Sequence, residues 1–216
     1  MNAPPRDQVS VLVPAAGAGD RLGRGPKALL MLDGRTVLEW VADKALLLGE
    51  EVILACVPQA PTLAGCLQIA GGPSRQDSVL RLARASSRPW VLVWDAARPF
   101  GSVALARAVL AQAQGSGAAG AWLDAPAPGA AAGFQTPLAF QRTLLLEVLA
   151  RAEREDWQAA STMELVQRAG HRPLAVPGET SNIKLTMAQD WELAARLLHL
   201  LAPDPAASRC ASGHGP

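Results

Sequence analysis

Val9-Ser-Val-Leu-Val-Pro14-Ala-Ala-Gly17-Ala-Gly19-Asp-Arg21-Leu-Gly23 is the stretch on which the fold turns. Its first six residues are short, apolar and β-branched, the composition of a buried strand. Small residues and glycines follow at once. In an open α/β sheet, ligands bind beyond the carboxyl ends of the strands. Small residues at such an end let backbone N–H groups come close to phosphate oxygens. Arg21 and, after Gly25-Pro26, Lys27 put positive charge beside the same loop. The glycines alone are weak evidence, because the spacing of Gly17, Gly19 and Gly23 also suits a dinucleotide-binding fold. Two features oppose that fold: the second strand ends Val57-Pro58-Gln59 with no acid for a ribose, and the loop carries Arg and Lys that a dinucleotide fingerprint does not need. It is not a Walker loop either, since no Gly-Lys-Ser/Thr follows at the right spacing. A tight turn with Arg21 and Lys27 solvated is the plain structural alternative.

Outward from this loop, strand and helix patterns alternate. Thr36-Val-Leu-Glu39 is a capping box opening an amphipathic stretch to about Leu48. Glu51–Val57 is a second strand pattern, and Leu67–Ala70 a short one. Ser74, with Asp77 three residues on, caps a helix to Ala85. Trp90–Trp94 is a continuous apolar run, as expected of a strand buried on both faces. Val103–Gln114 reads as helix and Gly120–Leu123 as strand. Asp124–Phe134 is almost wholly Ala, Pro and Gly and reads as a loop. Thr136-Pro137 predicts a helix start, with proline at the first helical position and the helix running to about Glu153. Ser161-Thr-Met-Glu164 is another capping box. Pro173–Val176 and Ile183–Leu185 are short strand candidates, and Thr186 caps a last helix to about Leu201. This rhythm predicts an α/β fold: three layers, a mostly parallel twisted sheet with helices on both faces. A single domain is expected over residues 1–202, with residues 203–216 a disordered tail.

The totals agree. The chain has 216 residues, half of them hydrophobic, with a formal net charge of +1. A core is within reach and overall disorder is excluded. No basic excess points to nucleic acid. The longest apolar runs, Ala28–Leu32 and Val52–Val57, are far too short to span a bilayer. Met1–Gln8 lacks the charged-then-apolar layout of a secretion signal. Cys56, Cys66 and Cys210 have neither metal-ligand nor redox spacing, so reduced thiols in the cytoplasm are expected. His171, His199 and His214 are scattered, which argues against a zinc site.

Four further motifs follow in order: Gly71-Gly-Pro-Ser-Arg-Gln-Asp-Ser-Val79, Asp95-Ala-Ala-Arg-Pro99, Gln135-Thr-Pro137, and Asn182-Ile-Lys184 with Thr186. Together with Pro14-Ala-Ala-Gly-Ala-Gly-Asp-Arg21 and Pro26-Lys27, the chain over roughly residues 9–201 resembles the 2-C-methyl-D-erythritol 4-phosphate cytidylyltransferase family, within the nucleotidyltransferases that act on sugar phosphates. The resemblance implies a Rossmann-like nucleotidyltransferase fold and transfer of a cytidylyl group from CTP to a sugar-alcohol phosphate, releasing pyrophosphate. It implies that the backbone of Ala15, Ala16, Gly17 and Gly19 cradles the CTP phosphates. Arg21 and Lys27 would grip the α-phosphate as the catalytic cations. Gly72 and Ser78 would lie beside the cytosine, Asp95 would orient the ribose or the acceptor, and Ala96 would also bind the nucleotide. Asp95, Arg98, Thr136 and Lys184 would serve the acceptor. Mg2+ would be held mainly by the CTP phosphates, with Asp95 as its one protein candidate.

Each position also has a plain structural explanation. Gly71-Gly72 can be a turn, Ser78 an exposed helix residue, and Thr136 and Thr186 helix caps. Asp95 can cap a turn with Arg98 as its surface ion-pair partner, Lys184 can point to solvent, and Trp94, where the family usually has His, can be core. The sequence also departs from the family. The long β-arm expected before Gln135 is reduced to Asp124–Phe134, without Arg or Thr, which argues against the arm-exchanged homodimer that the family would imply. The acid of a Thr-Asp-Asp/Glu motif is missing at Ala160-Ser161-Thr162, and Pro73 stands where an acid is common. A cytidylyltransferase for another polyol phosphate, such as ribitol 5-phosphate, and an inactive nucleotide-binding protein stay open as alternatives.

Overall fold

The computed structural model describes residues 2–17, 19, 23, 25–124 and 133–201. Among these described residues, nine strands alternate with helices: β1 Val9–Pro14, β2 Met31–Leu32, β3 Arg35–Thr36, β4 Glu51–Cys56, β5 Cys66–Ala70, β6 Trp90–Val93, β7 Ala118–Leu123, β8 Gly133–Gln141 and β9 Leu174–Pro177. The helices are α1 Val37–Leu46, α2 Arg75–Ala85, α3 Val103–Ser116, α4 Arg142–Arg154, α5 Thr162–Arg168 and α6 Ala188–Arg196. Seven strands form the main sheet in the order β5-β4-β1-β6-β8-β7-β9. β5, β4, β1 and β6 are mutually parallel, as is β7 with β9. Within this sheet β8 runs against both of its neighbours.

Strand periodicity sorts the core into two layers. Val9, Val11 and Val13 of β1 face one side with Val52 and Leu54, under α1 and α3. Leu12 faces the other with Ile53, Val91 and Val93, under α2, α4 and α5. These side chains are all at most 2 % exposed, and burying each contributes about 1.5–3 kcal/mol. A third cluster, Leu32, Val37, Phe100, Leu185 and Ala194, seats α6 over the β2–β3 hairpin. That hairpin turns at Asp33 and Gly34, both with positive φ (49° and 77°), the Asp-Gly signature of a two-residue turn.

The capping boxes at Thr36 and Ser74 form as expected. Ser161 caps α5, but Glu164 accepts from the Ala160 N–H at 2.8 Å instead of closing the box. Other expectations are corrected. Thr136-Pro137 does not start a helix: it lies inside β8 with a cis peptide bond. β8 pairs with β6 and β7 at once, and its ladder to β7 shifts register at Gly120/Ala121, so Thr136 and Pro137 fall in the irregularity. Proline is tolerated there because no ladder bond needs its N–H. The helix begins only at Arg142. Phe134 is strand, packed edge to face on Trp122 at 5.1 Å. Ile183–Leu185 is irregular, holding on through Leu185 N–H to Ala97 O at 2.8 Å. Thr186 is not the final cap. Asp190 accepts from the N–H groups of Thr186 and Met187, both at 2.7 Å, and the helix starts at Ala188 and ends at Arg196. Residues 125–132, most of the shortened arm, and the tail lie outside the described residues.

Candidate active site

The carboxyl ends of β1, β4 and β6 meet at one place, and the glycine loop crosses it. Ala15 N–H donates to Ala55 O at 2.8 Å, which fixes the start of the loop on the neighbouring strand. At Gly17 a side chain would enter open space. Gly19 is different: its φ is +81°, and a Cβ would sit 2.0 Å from Gly25 O. Only glycine fits this close approach. Lys27 opens the single turn Lys27–Leu29 and faces the same space. Arg21 lies outside the described residues.

The Gly71-Gly72 turn and the start of α2 form the opposite wall. A Cβ on Gly71 would lie 2.0 Å from the Ala16 Cβ, so this turn packs directly on the glycine loop. Gly72 N–H donates to Ser78 Oγ at 3.0 Å, and the Ser78 hydroxyl donates to Ser74 O at 3.0 Å. Ser78 is buried, not an exposed helix residue. Its hydroxyl locks the turn over the first residues of α2.

Asp95 follows β6 and is 7 % exposed. Its Oδ1 accepts from Arg75 Nε at 2.9 Å and Nη2 at 2.7 Å, and its Oδ2 accepts from Lys184 Nζ at 2.9 Å. Burial by itself would raise its pKa. Arg75 and Lys184 outweigh that and hold the carboxyl well below the usual carboxylate range. Arg98, the ion-pair partner suggested by sequence, is not bonded to it. Arg98 Nη1 donates to Gln135 Oε1 at 3.0 Å and to Asn182 O. Burial lowers the Arg98 pKa, with Asp95 acting against that.

Thr136 stands behind Asp95. Its Oγ1 accepts from the Asp95 backbone N–H at 3.2 Å, and its carbonyl accepts from Asn182 Nδ2 at 2.8 Å. Trp94 is fully buried in the core, its indole N–H donating to Arg98 O at 3.1 Å.

A cavity of about 410 Å³ occupies the centre of this arrangement. Ala15, Ala16, Gly17, Gly19 and Lys27 line it on one side, and Gly72 and Ser78 on another. Asp95, Ala96 and Lys184 complete its lining. Arg98 and Thr136 do not line it; they hold Asp95 and the segment of Lys184 from behind. Arg75 does line it, although the sequence motifs assign it no role. One signal is present in the sequence: a cation at the first position of a helix opposes the helix dipole, so it needs a carboxylate from elsewhere. Asn182, 2 % exposed, likewise stands in a motif without an assigned function.

The comparisons with known proteins fit this geometry. The model of the 2-C-methyl-D-erythritol 4-phosphate cytidylyltransferase family matches residues 9–127 and 130–199. The chain is 45 % identical over 207 residues to a protein of that name from Thermus thermophilus, covering 88 % of this chain and 97 % of that one. This chain belongs to the 2-C-methyl-D-erythritol 4-phosphate cytidylyltransferase family. A relative of the same name from Deinococcus radiodurans is 36 % identical, over 88 % of this chain and 89 % of its own length. The crystal structure of a Thermus thermophilus protein of this name superposes with a TM-score of 0.79 at 39 % identity, covering 89 % of this chain and 99 % of that one. The α/β nucleotidyltransferase fold expected from the sequence is the fold that the family shares. The cavity lies where such a fold places ligands, beyond the carboxyl ends of parallel strands.

The carboxylates here do not fit a resident divalent ion. Both Asp95 oxygens are taken up by cations. Among the described residues, no three His, Cys, Asp or Glu side chains come together as a metal site.

Proposed function

We propose that this chain transfers the cytidylyl group of CTP to 2-C-methyl-D-erythritol 4-phosphate. The observation that carries the proposal is the single cavity lined by both Lys27 and Lys184. A glycine loop with Lys27 lines it, and so does a lysine held on a buried carboxylate. An oxygen of the acceptor's phosphate attacks the α-phosphorus of CTP. The new P–O bond forms as the bond to the β-phosphate bridge oxygen breaks, and pyrophosphate leaves. The attacking phosphate is already an anion, so the chemistry needs no strong general base. Its barrier is charge repulsion and orientation.

In this proposal the N–H groups of Ala15, Ala16, Gly17 and Gly19 hold the triphosphate. Lys27 and Arg21 stabilise the charge that grows around the α-phosphorus. Gly72, Ser78 and Ala96 flank the nucleoside. Lys184 receives the acceptor's phosphate, Asp95 positions it, and Arg98 and Thr136 hold Asp95 and its neighbours in place. Mg2+ enters as the counter-ion of CTP, as part of the substrate. The unpaired thiols of Cys56 and Cys66 are in keeping with work in the cytoplasm.

Phosphorus NMR of a reaction with CTP, Mg2+ and the methylerythritol phosphate tests the proposal. The two coupled resonances of a new pyrophosphate diester, growing with free pyrophosphate, are expected. Intact substrates after prolonged incubation would refute it, and product formed only with ribitol 5-phosphate would move the assignment to another polyol phosphate.

A further inference from the structure

Arg75 is the least expected charge in the cavity wall. It is the first residue of α2, directly after the Ser74 cap, where the helix dipole opposes a cation. Three of its nitrogens are engaged. Nε and Nη2 reach Asp95 Oδ1, and Nη1 reaches Thr162 Oγ1 at 3.2 Å. Thr162 is the first residue of α5 and buried. Its partner is therefore a hydroxyl, and Arg75's direct charge pair is with Asp95. One guanidinium thus joins the N-termini of two helices to the end of β6.

The consequence concerns Lys184. Two cations are ion-paired with one carboxylate, and Arg98 acts on the same carboxylate without bonding to it, so this part of the cavity keeps a positive balance. With Arg75 on Oδ1, Lys184 needs to share only Oδ2, and its side chain remains 41 % exposed. Without Arg75, Lys184 would be the one cation directly ion-paired with this buried carboxylate among the described residues, and the positive charge here would fall by one unit. A buried carboxylate binds such a counter-ion strongly.

We infer that Arg75 is a positioning residue for the acceptor: by compensating Asp95, it frees Lys184 to take an acceptor's phosphate. This rests on the cytidylyl-transfer proposal above and names the group that makes its acceptor end cationic. Arg75 acts through Asp95 and Lys184, not by touching the reacting atoms.

The test is a steady-state comparison of wild type, Arg75→Gln, Arg75→Lys and Thr162→Val, with CTP and the methylerythritol phosphate each varied in turn. Thermal midpoints run in parallel to report folding. Arg75→Gln is expected to raise KM for the acceptor on the order of tenfold, the scale of one lost charge-assisted contact, while KM for CTP moves less than about twofold. Arg75→Lys recovers part of the loss, because it restores the charge without the planar fork. Thr162→Val keeps the ion pair, and if Arg75→Gln does not fold, the predicted order of acceptor KM is wild type, Thr162→Val, Arg75→Lys, from low to high. An unchanged acceptor KM in the Arg75 variants, or equal rises in both KM values, would overturn the inference while leaving the reaction assigned. A wild-type protein that turns over no methylerythritol phosphate would overturn the reaction itself, and this role with it.

Discussion

Lys184 Nζ lies 2.9 Å from Asp95 Oδ2, and the two residues are joined only by folding, one at the end of β6 and the other in the irregular segment before α6. Asp95 is deeply buried and Lys184 is not. The pair is thus half solvated, and it contributes less than the 3–5 kcal/mol lost on breaking a wholly buried pair. Asp95→Asn keeps the shape and removes the charge. It leaves Arg75 and Lys184 facing each other without a counter-ion.

The sign of the pH effect follows. Asp95 has a folded pKa held well below its unfolded value near 3.9. Its stabilisation is fully present above about pH 4–5 and is lost as pH falls through the unfolded and then the folded pKa. Urea unfolding of wild type and Asp95→Asn should therefore differ most at neutral pH, and the gap should begin to shrink only below about pH 4. A gap that is constant from pH 7 to pH 3 would mean that Asp95 contributes by packing alone.

Lys27 faces the glycine loop from a single turn fixed by Leu30 N–H to Lys27 O at 3.2 Å. Its proposed task is charge stabilisation at the α-phosphorus. Lys27→Ala should lower kcat about 10²-fold or more, by analogy with removing one transition-state donor. Lys27→Arg should recover only part of it, since a planar guanidinium is not a point charge. Pyrophosphate release at saturating substrates measures both. A Lys27→Ala protein within about threefold of wild type would remove Lys27 from the chemistry.

Gly72 has no room for a side chain. A Cβ there would lie 2.3 Å from the Asp77 Cβ and 2.9 Å from the Ser78 N. Gly72→Ala must therefore push the turn off the first residues of α2 and break Gly72 N–H to Ser78 Oγ. The expected result is a rise in KM for CTP of about tenfold or more, with a smaller effect on the acceptor. Calorimetric titration with CTP reports it directly. Unchanged CTP affinity would place the base elsewhere.

Lys44 is buried in α1, and among the described residues its hydrogen-bond partners are carbonyls, not carboxylates. Its Nζ donates to Pro99 O at 2.6 Å, Gly101 O at 3.1 Å and Leu200 O at 3.4 Å, tying α1 to the loop after Arg98 and to the C-terminal turn. Burial pulls its pKa down from 10.5 to about 8, with Glu179 acting the other way. A base with a lowered folded pKa binds fewer protons in the native state, so stability rises with pH between about 8 and 10.5. Wild type should gain a few kcal/mol at most across that window. Lys44→Met should lack this gain, although it leaves the carbonyls unpaired at every pH. Parallel slopes for the two proteins would mean that Lys44 titrates as if solvated.

Much of this is written locally in the sequence, and the rest is not, for identifiable reasons. β1, β4 and β6 are continuous apolar runs, and Thr36 and Ser74 carry their capping partners within four residues, so local chemistry decides them. β8 is misread because Thr136-Pro137 is a good helix start in isolation. The pairing of β8 between β6 and β7, which overrides it, is made by residues far apart in the chain. Ile183–Leu185 misleads similarly: its apolar side chains are buried under α6 rather than in a ladder. In the site, the glycine loop, Lys27, Asp95 and Lys184 are legible because the motifs carry them. That Asp95 pairs with Arg75 instead of Arg98 is not legible, since both arginines lie in the same set of motifs and only the packing of α2 on β1 and β4 chooses between them.

The most direct measurement is pyrophosphate release by the purified chain with CTP, Mg2+ and 2-C-methyl-D-erythritol 4-phosphate, beside parallel reactions with ribitol 5-phosphate and with no acceptor. The account predicts stoichiometric release with the methylerythritol phosphate, little with ribitol 5-phosphate, and none without an acceptor. Silence with the methylerythritol phosphate, at protein and substrate concentrations where CTP binding is saturated, would contradict it.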